Sequence, residues 1–181
     1  MKILAQRVTQ ASVRVSGKIV GEIESGLLIF VGAGRDDVVK VDGENRGPGD
    51  KRAAALADKV ANLRIFPDAA GKSNLSLLDV GGAALVISQF TLYADCRRGR
   101  RPSFTDAAEP AEAEALVEEF RATLERLGVP TAVGRFGAHM TVSLVNDGPY
   151  TILLDSETLA GPRRRSEVPG SGGSSEHSRE E

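Results

Sequence analysis

The chain has very little cysteine and histidine, two residues that many nucleophilic and metal sites use. Among its 181 residues it has one cysteine, Cys96, no tryptophan and two histidines. A single cysteine excludes an intramolecular disulfide, and a reducing compartment fits this count. Two histidines, His139 and His177, are too few for a zinc site built mainly from His and Cys. His177 lies in a polar tail, so a Ser-His-Asp triad would have to use His139, and residues 137–140 include no acid to orient it.

Long apolar runs and an excess of basic charge are also lacking. No segment reaches the roughly 18 apolar residues that a membrane-spanning helix needs. The first seven residues become polar too early for the apolar core of a signal peptide. The net charge of −2 disfavours a strongly basic nucleic-acid-binding protein but leaves room for a local basic patch. Because 41% of the residues are hydrophobic, the composition predicts a globular protein. The lack of a signal peptide and of a membrane-spanning run predicts that it is soluble and cytoplasmic.

Short apolar segments separated by turn residues predict an α+β fold. The order β-β-β-α-β-α-β-β-β is typical of a mostly antiparallel, barrel-like sheet with two helices packed against it. The third strand, residues 27–31, is a continuous apolar run, as expected for a strand buried on both faces. Helices are predicted over residues 50–64, with Asp50 as N-cap, and over residues 110–128. The last three strands are predicted at residues 131–136, 140–145 and 150–154.

The composition changes after the last predicted strand. Residues 158–181 are poor in apolar side chains and rich in Gly, Ser, Arg and Glu, so we expect a disordered polar tail. The folded domain is therefore predicted to cover residues 1–157. Within it, the polar and glycine-rich residues 42–50 are typical of a surface loop.

Two polar segments, each directly after an apolar strand, carry most of the functional information. Residues 88–93, Ser-Gln-Phe-Thr-Leu-Tyr, place hydroxyl and amide groups at the end of a rigid support. Residues 146–151, Asn-Asp-Gly-Pro-Tyr-Thr, predict a sharp turn with a fixed backbone. Together they predict a site that recognises a small polar ligand partly through main-chain atoms.

With these segments and several others, the chain closely resembles the D-aminoacyl-tRNA deacylases of the bacterial and eukaryotic type. The similarity extends over about residues 1–156. The matching segments are residues 6–8, 11–13, 62–66, 74–80, 88–93, 99–104, 136–140 and 142–149. Either turn segment alone is a weak match, whereas both in order, with the intervening segments, are highly specific. The two departures are the loop at residues 42–50, which looks longer than is typical, and the tail.

The resemblance implies hydrolysis of the ester between a D-amino acid and the 3′-terminal adenosine of tRNA. It also implies a homodimer with active sites at the subunit interface, and neither metal nor cofactor. The family's Gly-Pro peptide, here Gly148-Pro149, is cis and enters the active site of the partner subunit, where its backbone oxygens meet the substrate α-ammonium. Close backbone approach then excludes an L side chain, while glycyl-tRNA, such as glycine mischarged on tRNA(Ala), is still hydrolysed.

The resemblance places the catalytic groups at the first turn segment. Ser88, Gln89 and the amides of Phe90 and Thr91 are the candidates for holding the ester carbonyl or the attacking water. Thr91 as a covalent nucleophile is the alternative, but the sequence shows no base beside it. The substrate's own 2′-OH is expected to assist the chemistry.

Substrate binding is assigned to the second turn, to Arg7, and to a segment that precedes the turn in the chain. Arg7 is expected to hydrogen-bond the Gly-Pro turn, because its planar guanidinium has several donors, and Asn146 is included with the turn. His139 is expected on the surface if the strand alternates, and no role is predicted for Cys96. The segment expected around the terminal adenine comprises Phe136, Gly137, Ala138 and Met140.

Four arginines lie in one short loop: Arg97, Arg98, Arg100 and Arg101. Such a loop is usually just solvated, but a protein with net negative charge needs a local basic patch if it binds tRNA. We therefore predict phosphate contacts here.

Two other functions stay open at this point. The chain could be a nucleic-acid-binding module that keeps the fold without hydrolysis, although Ser88, Gln89, Thr91, Gly148 and Pro149 are all present. It could also be an editing module of an aminoacyl-tRNA synthetase, although no synthetase domain accompanies it.

Overall fold

Ten strands and three helices make up the described part of the chain, which in the computed structural model comprises residues 1–38, 40–41, 44–45 and 51–160. The strands are β1 (Lys2–Val15), β2 (Lys18–Ile23), β3 (Gly26–Gly32), β4 (Lys40–Val41), β5 (Glu44–Asn45), β6 (Phe66–Pro67), β7 (Ser73–Leu75), β8 (Ala83–Ser88), β9 (Thr131–Val133) and β10 (Met140–Asp155). The helices are α1 (Lys51–Ala61), α2 (Pro110–Arg126) and α3 (Ser156–Ala160), and two 3₁₀ turns lie at Arg35–Asp37 and Phe90–Tyr93. No helix in these ranges is both long enough and apolar enough to cross a membrane.

The main sheet has six strands in the order β10-β1-β3-β8-β9, with β2 also paired to β1. β1 is antiparallel to β10, β2 and β3, whereas β8 is parallel to both β3 and β9. The long β1 pairs with β3 through its first half and with β2 through its second half, so the sheet curves. β2 comes close to β9, since a Cβ added at Gly21 would lie 2.5 Å from the carbonyl oxygen of Val133. The predicted α+β fold with a mostly antiparallel, barrel-like sheet is thereby confirmed.

One face of the sheet packs against the two long helices. The apolar periodicity of α1 and α2 places Leu56, Val60, Phe120 and Leu124 in one buried cluster with Ile3 of β1. All five side chains are at most 2% exposed. Each large apolar side chain buried in this way contributes about 1.5–3 kcal/mol.

The other face of the sheet closes on a second, smaller core. It contains Val8 and Val13 of β1, Leu28 of β3, and Leu85 and Ile87 of β8. Leu27, Leu28 and Ile29 are all fully buried although they alternate between the two cores. This arrangement confirms the expectation that the apolar run at residues 27–31 is buried on both faces.

The helix ends differ slightly from the predicted ones. α1 ends at Ala61 rather than at residue 64, and the predicted cap Asp50 and most of the loop at residues 42–50 lie outside the described residues. α2 begins at Pro110, as predicted, and Gly128 just beyond its end has φ +94°, a conformation that favours glycine after a helix. α3 has no counterpart in the sequence prediction. Because α3 extends to Ala160, the first three residues of the predicted tail are helical, and residues 161–181 lie outside the described ranges.

The strands that flank the site also differ from the sequence prediction. β9 ends at Val133 rather than at residue 136, because the chain bends before Gly137, which has φ +70°. Residues 140–145 and 150–154, predicted as two strands, belong to the single strand β10. Pairing with β1 stops at Val8–Asn146 and resumes at Gln6–Thr151, so the four residues 147–150 lie opposite Arg7 alone. This expanded bulge is the predicted Asn-Asp-Gly-Pro turn, inserted into a ladder that continues on both sides.

Candidate active site

A cavity of about 630 Å³ lies at the carboxyl end of β8. Ser88, Gln89 and Phe90 form one wall, and residues 136–140 form another. The structure therefore brings together two segments that are almost 50 residues apart and that the sequence assigned to chemistry and to the adenine. The sequence analysis did not assign the remaining wall, which comprises Val31, Ala33, Arg35, Ile87, Phe104, Ala107, Ala108, Glu109, Pro110, Ala113, Val117 and Val142.

The turn at residues 89–93, hereafter the catalytic turn, follows directly from the pairing of β3 with β8. The amide of Gln89 donates to the carbonyl of Val31 at 2.8 Å, which continues the ladder by one residue. The first bond within the turn runs from the amide of Leu92 to the carbonyl of Gln89 at 3.3 Å. The amides of Phe90 and Thr91 precede that bond and are not used by it, so they suit a role as donors to a ligand oxygen.

Thr91 lies on the catalytic turn but is not part of the cavity wall. Its hydroxyl oxygen accepts a hydrogen bond from the side-chain amide of Gln89, and the residue is exposed. A carboxamide cannot remove a proton from the hydroxyl, and no carboxylate or imidazole contacts Thr91 within the described residues. The surroundings of Thr91 favour positioning over nucleophilic attack.

Residues 136–140 enclose the cavity because the chain bends between β9 and β10. Phe136, Ala138 and Met140 are half-buried. The sulfur of Met140 packs against Gly134, since a Cβ added at Gly134 would lie only 2.5 Å from that sulfur. His139 is exposed, as expected, but it also borders the cavity. Strand alternation could not predict that position, because this segment is a bend and not a strand.

A second cluster of the predicted site residues surrounds Arg7, which is only 7% exposed. Its Nε donates to the carbonyl of Asp147 at 3.1 Å and pairs with the carboxylate of that residue at 2.8 Å. Its Nη2 donates to the carbonyl of Gly148 at 3.3 Å, and its Nη1 donates to the carbonyl of Ile65. The predicted contact between Arg7 and the Gly-Pro turn is present in the structure.

The side-chain amide of Asn146 closes the bulge from the other side. Its Nδ2 donates to the carbonyl of Arg7 at 2.9 Å and to the carbonyl of Tyr150 at 3.2 Å. Both donors of this amide are thus used within the fold. These contacts give Asn146 a role in shaping the turn rather than in touching a ligand through its NH₂ group.

Gly148 and Pro149 form the exposed tip of this second turn, hereafter the Gly-Pro turn (residues 146–150). Their peptide bond is cis, as the resemblance implies. Neither residue lines the cavity in the same chain, and Val142 on the cavity wall is four residues from Asn146 along an extended strand, about 13 Å. One chain therefore holds the two halves of the predicted site apart.

The arginine-rich loop directly follows the catalytic turn in the chain. Backbone hydrogen bonds between Asp95 and Ser103, at 2.8 and 2.9 Å, close the base of the loop. Arg97 forms two 2.8 Å bonds with Asp95, which lower the pKa of that carboxyl to about 2. Arg98, Arg100 and Arg101 are exposed and form no ion pair within the described ranges.

The wall contributed by residues 104–117 could have been foreseen only in part. The ring of Phe104 packs edge-on against that of Phe90, with centroids 5.1 Å apart, and Phe104 ends a segment that carries the family resemblance. Ala113 and Val117 lie on α2, and the helical periodicity shows only that they face inward. Cys96 is exposed, and no cluster of three or more His, Cys, Asp or Glu side chains suited to a metal occurs in the part of the chain described here.

Comparison with known sequences finds related proteins over most of the chain. The model of the family described as D-Tyr-tRNA(Tyr) deacylase matches residues 4–155. D-aminoacyl-tRNA deacylase from Thermomicrobium roseum is 58% identical over 163 residues, which cover 89% of this chain and 97% of that protein. The protein of the same name from Roseiflexus castenholzii is 54% identical over 167 residues, covering 92% and 99%.

Solved structures show the same fold. A structure titled c-Myc DNA Unwinding Element Binding Protein superposes with a TM-score of 0.72 at 34% identity, covering 86% of this chain and 98% of that one. A structure titled as a probable eukaryotic D-amino acid tRNA deacylase gives a TM-score of 0.68 at 15% identity, covering 84% and 97%, and supports the fold alone. From the family match, the extent of the identity and the fold, the chain belongs to the D-aminoacyl-tRNA deacylase family and is a deacylase of the hydrolase class.

Proposed function

We propose that the protein is a cytoplasmic homodimer that hydrolyses D-aminoacyl-tRNA, and that each active site combines the cavity of one subunit with the Gly-Pro turn of the other. The observation that supports this proposal is the separation of the two halves in one chain. The cavity contains the catalytic turn and the adenine-binding segment, whereas Gly148 and Pro149 are exposed elsewhere. A second copy supplies what one chain lacks.

The absence of a side chain at residue 148 supports an intermolecular role for the turn. A Cβ added at Gly148 would meet only the Oδ1 of Asn146, at 3.5 Å, which is ordinary van der Waals contact. Packing within the chain therefore gives no reason for glycine here. A turn that approaches a ligand through its backbone does require glycine.

The surface around the turn suits a second copy. β10 lies at the end of the sheet order with β1 as its partner, so one edge of this sixteen-residue strand is unpaired within the described sheet. Val145 and Leu153 of this strand are 48% and 63% exposed. A long unpaired strand edge with apolar side chains is a natural surface for association.

The cavity has the shape and chemistry for the end of a charged tRNA. Phe136 and Met140 offer an aromatic and a thioether surface on which the terminal adenine can stack. The ester then lies beside Ser88, Gln89 and the amides of Phe90 and Thr91. Arg98, Arg100 and Arg101 project from the neighbouring loop, where they can contact phosphates of the acceptor strand.

The reaction on this site is attack of water on the ester carbonyl. The water oxygen bonds to the carbonyl carbon, the bond to the ribose 3′-oxygen breaks, and that oxygen takes up a proton. The 2′-OH of the same ribose can relay this proton, so the chain needs no strong base. The free amides of the catalytic turn stabilise the oxyanion, and free D-amino acid and tRNA leave.

Chirality is selected by exclusion. The carbonyl oxygens of Gly148 and Pro149 of the partner subunit accept hydrogen bonds from the substrate α-ammonium, which fixes the α-carbon. An L side chain would then point at the backbone of the turn, whereas a D side chain points away. Glycine has no side chain to exclude, so glycyl-tRNA, including glycine mischarged on tRNA(Ala), is a second substrate.

The direct test compares D-Tyr-tRNA, L-Tyr-tRNA and Gly-tRNA(Ala) as substrates of the purified protein in the presence of EDTA. We expect rapid release from the D-ester and from the glycyl ester, and little from the L-ester. Equal release from the D- and L-esters would contradict the exclusion mechanism. No release from any of them would contradict the activity.

Mixing two variants tests the shared site. Gln89→Ala removes a catalytic-turn side chain and Gly148→Ala obstructs the Gly-Pro turn, so each homodimer is expected to be nearly inactive. A mixed dimer contains one intact site, because the cavity of the Gly148→Ala subunit meets the unaltered turn of the other. Random mixing should therefore restore roughly a quarter of wild-type activity. No restoration, with subunit exchange shown by mass, would place both halves of the site in one chain.

A second candidate function is nucleic-acid binding without turnover. The specific observation in its favour is the 34% identical structure whose title describes a protein that binds a DNA unwinding element. Tight binding of uncharged tRNA or of single-stranded DNA, with no ester hydrolysis, would favour this function over the deacylase.

A further inference from the structure

We propose that the only two tyrosines of the chain, Tyr93 and Tyr150, are positioning residues with separable effects: Tyr93 sets the rate of ester hydrolysis and Tyr150 sets the preference for the D-ester. Tyr93 ends the catalytic turn, and Tyr150 ends the Gly-Pro turn. The hydroxyl of each tyrosine bonds to a distant side chain outside its turn. This inference rests on the proposed function of the two turns.

Tyr93 connects the catalytic turn to the end of β3. Its hydroxyl donates to Oδ2 of Asp37 at 2.8 Å, and its ring lies beneath the ammonium of Lys2, 4.6 Å from the centroid. Lys2 also donates to the carbonyl of Leu92 at 3.4 Å. The last residues of the turn are therefore held from two sides.

Two glycines form the surface on which this turn packs. A Cβ added at Gly34 would lie 2.5 Å from the Tyr93 ring, and one added at Gly32 would lie 3.0 Å from the carbonyl oxygen of Gln89. Neither glycine has the positive φ that would explain its presence by backbone conformation. Close approach of the catalytic turn explains both glycines.

The acceptor of the Tyr93 hydroxyl is held in place and stays charged. Asp37 is 3% exposed, and it also accepts from the amide of Gly34 at 2.7 Å and from the N-terminal ammonium. Burial opposes the charged form, but the bonds from the ammonium and from Gly34 outweigh it and hold the pKa of Asp37 below its ordinary value. Burial, together with the nearby Asp37 charge, raises the pKa of Tyr93, so the phenol remains a donor at neutral pH.

Tyr150 connects the Gly-Pro turn to the β6–β7 hairpin. Its hydroxyl hydrogen-bonds the hydroxyl of Ser73, and its ring lies 4.4 Å from the Arg7 guanidinium. Arg7 in turn donates to the carbonyls of Asp147, Gly148 and Ile65. The ring thus covers the side chain that holds the tip of the turn, and the hairpin fixes the ring.

The two connections act on different steps. A shift of the catalytic turn misplaces the amides of Phe90 and Thr91 relative to the carbonyl of either ester, so it slows both isomers alike. A shift of the Gly-Pro turn changes the space next to the α-carbon, so it admits the L side chain.

Tyr93→Phe and Tyr150→Phe test this separation, since each removes one hydroxyl and leaves the ring. We would measure single-turnover rates on D-Tyr-tRNA and L-Tyr-tRNA with enzyme in saturating excess, so that the fraction of active protein does not enter. Tyr93→Phe should lower both rates about tenfold, with the D/L ratio unchanged. Tyr150→Phe should lower the D/L ratio about tenfold, mainly through faster hydrolysis of the L-ester.

Variants of a residue that contacts each tyrosine sharpen the test. Gly34→Ala displaces the Tyr93 ring and should reproduce the effect of Tyr93→Phe, and Ser73→Ala should reproduce that of Tyr150→Phe. The proposal fails if both tyrosine variants change the same parameter, or if neither changes any. An inactive wild-type protein would instead mean that the proposed function is wrong, so the two failures are distinguishable.

Discussion

The catalytic turn and the Gly-Pro turn differ in how the fold supports them. The catalytic turn extends a buried parallel strand, packs on Gly32 and Gly34, and borders a cavity of its own chain. The Gly-Pro turn is a bulge in an edge strand whose tip is exposed, and one buried arginine holds it from below. The first turn borders a cavity within its own chain. The tip of the second turn projects from the chain and does not line that cavity.

Under the proposed function, this difference assigns the rate of hydrolysis and the selection of the isomer to two separate supports. The groups proposed to act on the ester follow a buried strand and pack on Gly32 and Gly34, which fix their position. The groups proposed to select the isomer belong to an exposed backbone tip, where few neighbours interfere with an incoming ligand. The predictions that follow test the two supports separately.

The largest effect is expected at Asp37, beneath the catalytic turn. Asp37→Asn leaves the buried N-terminal ammonium without its opposite charge and should cost about 3 kcal/mol of unfolding free energy. Chemical denaturation at neutral pH measures the loss, with the exposed neighbour Asp36→Asn as control. Equal stability of the two variants would contradict the role of Asp37.

The carboxylate of Asp37 also makes the stability of the protein depend on pH. The pKa of Asp37 is lower in the folded protein than in the unfolded chain, where it is about 4. The contribution of Asp37 to the free energy of unfolding is therefore complete above the unfolded pKa and is lost as the pH falls through the folded pKa. The stability difference between the wild type and Asp37→Asn should therefore shrink in acid. A difference that grows below pH 4 would show that the carboxylate is not stabilised by these partners.

The next largest effect is expected at the tip of the Gly-Pro turn. Gly148→Ala should reduce kcat/KM for D-Tyr-tRNA about 100-fold, because the added methyl group prevents close backbone approach to the ligand. Its thermal unfolding midpoint should match that of the wild type, since the methyl meets only an ordinary contact in its own chain. Ser143→Ala on the same strand is the control, and a marked fall in the midpoint would give Gly148 an internal packing role.

Arg7 beneath this turn should affect selectivity more than rate. Arg7→Ala removes the donors to Asp147 and Gly148 and should lower the D/L ratio about tenfold. Arg14→Ala, an exposed position on the same strand, is the control. The ratio of the hydrolysis rates on the D- and L-esters does not depend on how much of the protein is folded. An unchanged ratio would exclude Arg7 from chiral selection.

A smaller effect is expected from the arginine-rich loop that follows the catalytic turn. Replacing Arg98, Arg100 and Arg101 together by alanine should raise KM about fivefold and make the salt dependence of KM less steep. Arg97→Ala should change KM less, because Arg97 is paired with Asp95. Equal effects of the triple and the single variant would indicate that the loop does not contact phosphates.

The smallest effect is expected at Thr91. Thr91→Ala should slow hydrolysis only about threefold, because its hydroxyl has an amide partner and no base. Rapid quenching of a single turnover measures the rate, and trapping with hydroxylamine tests for an acyl-enzyme. Complete loss of turnover with normal tRNA binding would restore the covalent mechanism.

Much of the fold followed from local patterns. The three N-terminal strands, the doubly buried run at residues 27–31 and the apolar faces of α1 and α2 follow from period-2 and period-3.6 spacing and glycine turns. The details that failed were the ends of elements and the interruption at residues 134–139. The bend there depends on the packing of Met140 against Gly134 and on the positive φ of Gly137, neither of which has a periodic signal.

The sequence supplied candidate residues for the site but not its shape. The motifs suggested Ser88, Gln89 and Phe136, which line one cavity in the structure, and Arg7, which contacts the Gly-Pro turn. The wall from Phe104 to Val117 was not predicted, since an inward-facing alanine on a helix looks the same whether it meets a core or a cavity. The contact of Tyr93 with Asp37 joins residues 56 positions apart, a pairing that no local rule indicates.

The sequence by itself determined the α+β class, the positions of the two turns and the family to which the chain belongs. These features depend on short-range spacing and on turn chemistry, which are written in consecutive residues. Only the tertiary structure decided that Arg7 lies buried under the Gly-Pro turn, that the cavity forms between β8, α2 and the bend, and that the two halves of the site lie apart in one chain. The physical reason is that curvature of the sheet and packing of distant elements set these distances, and both arise from many weak contacts summed over the whole domain.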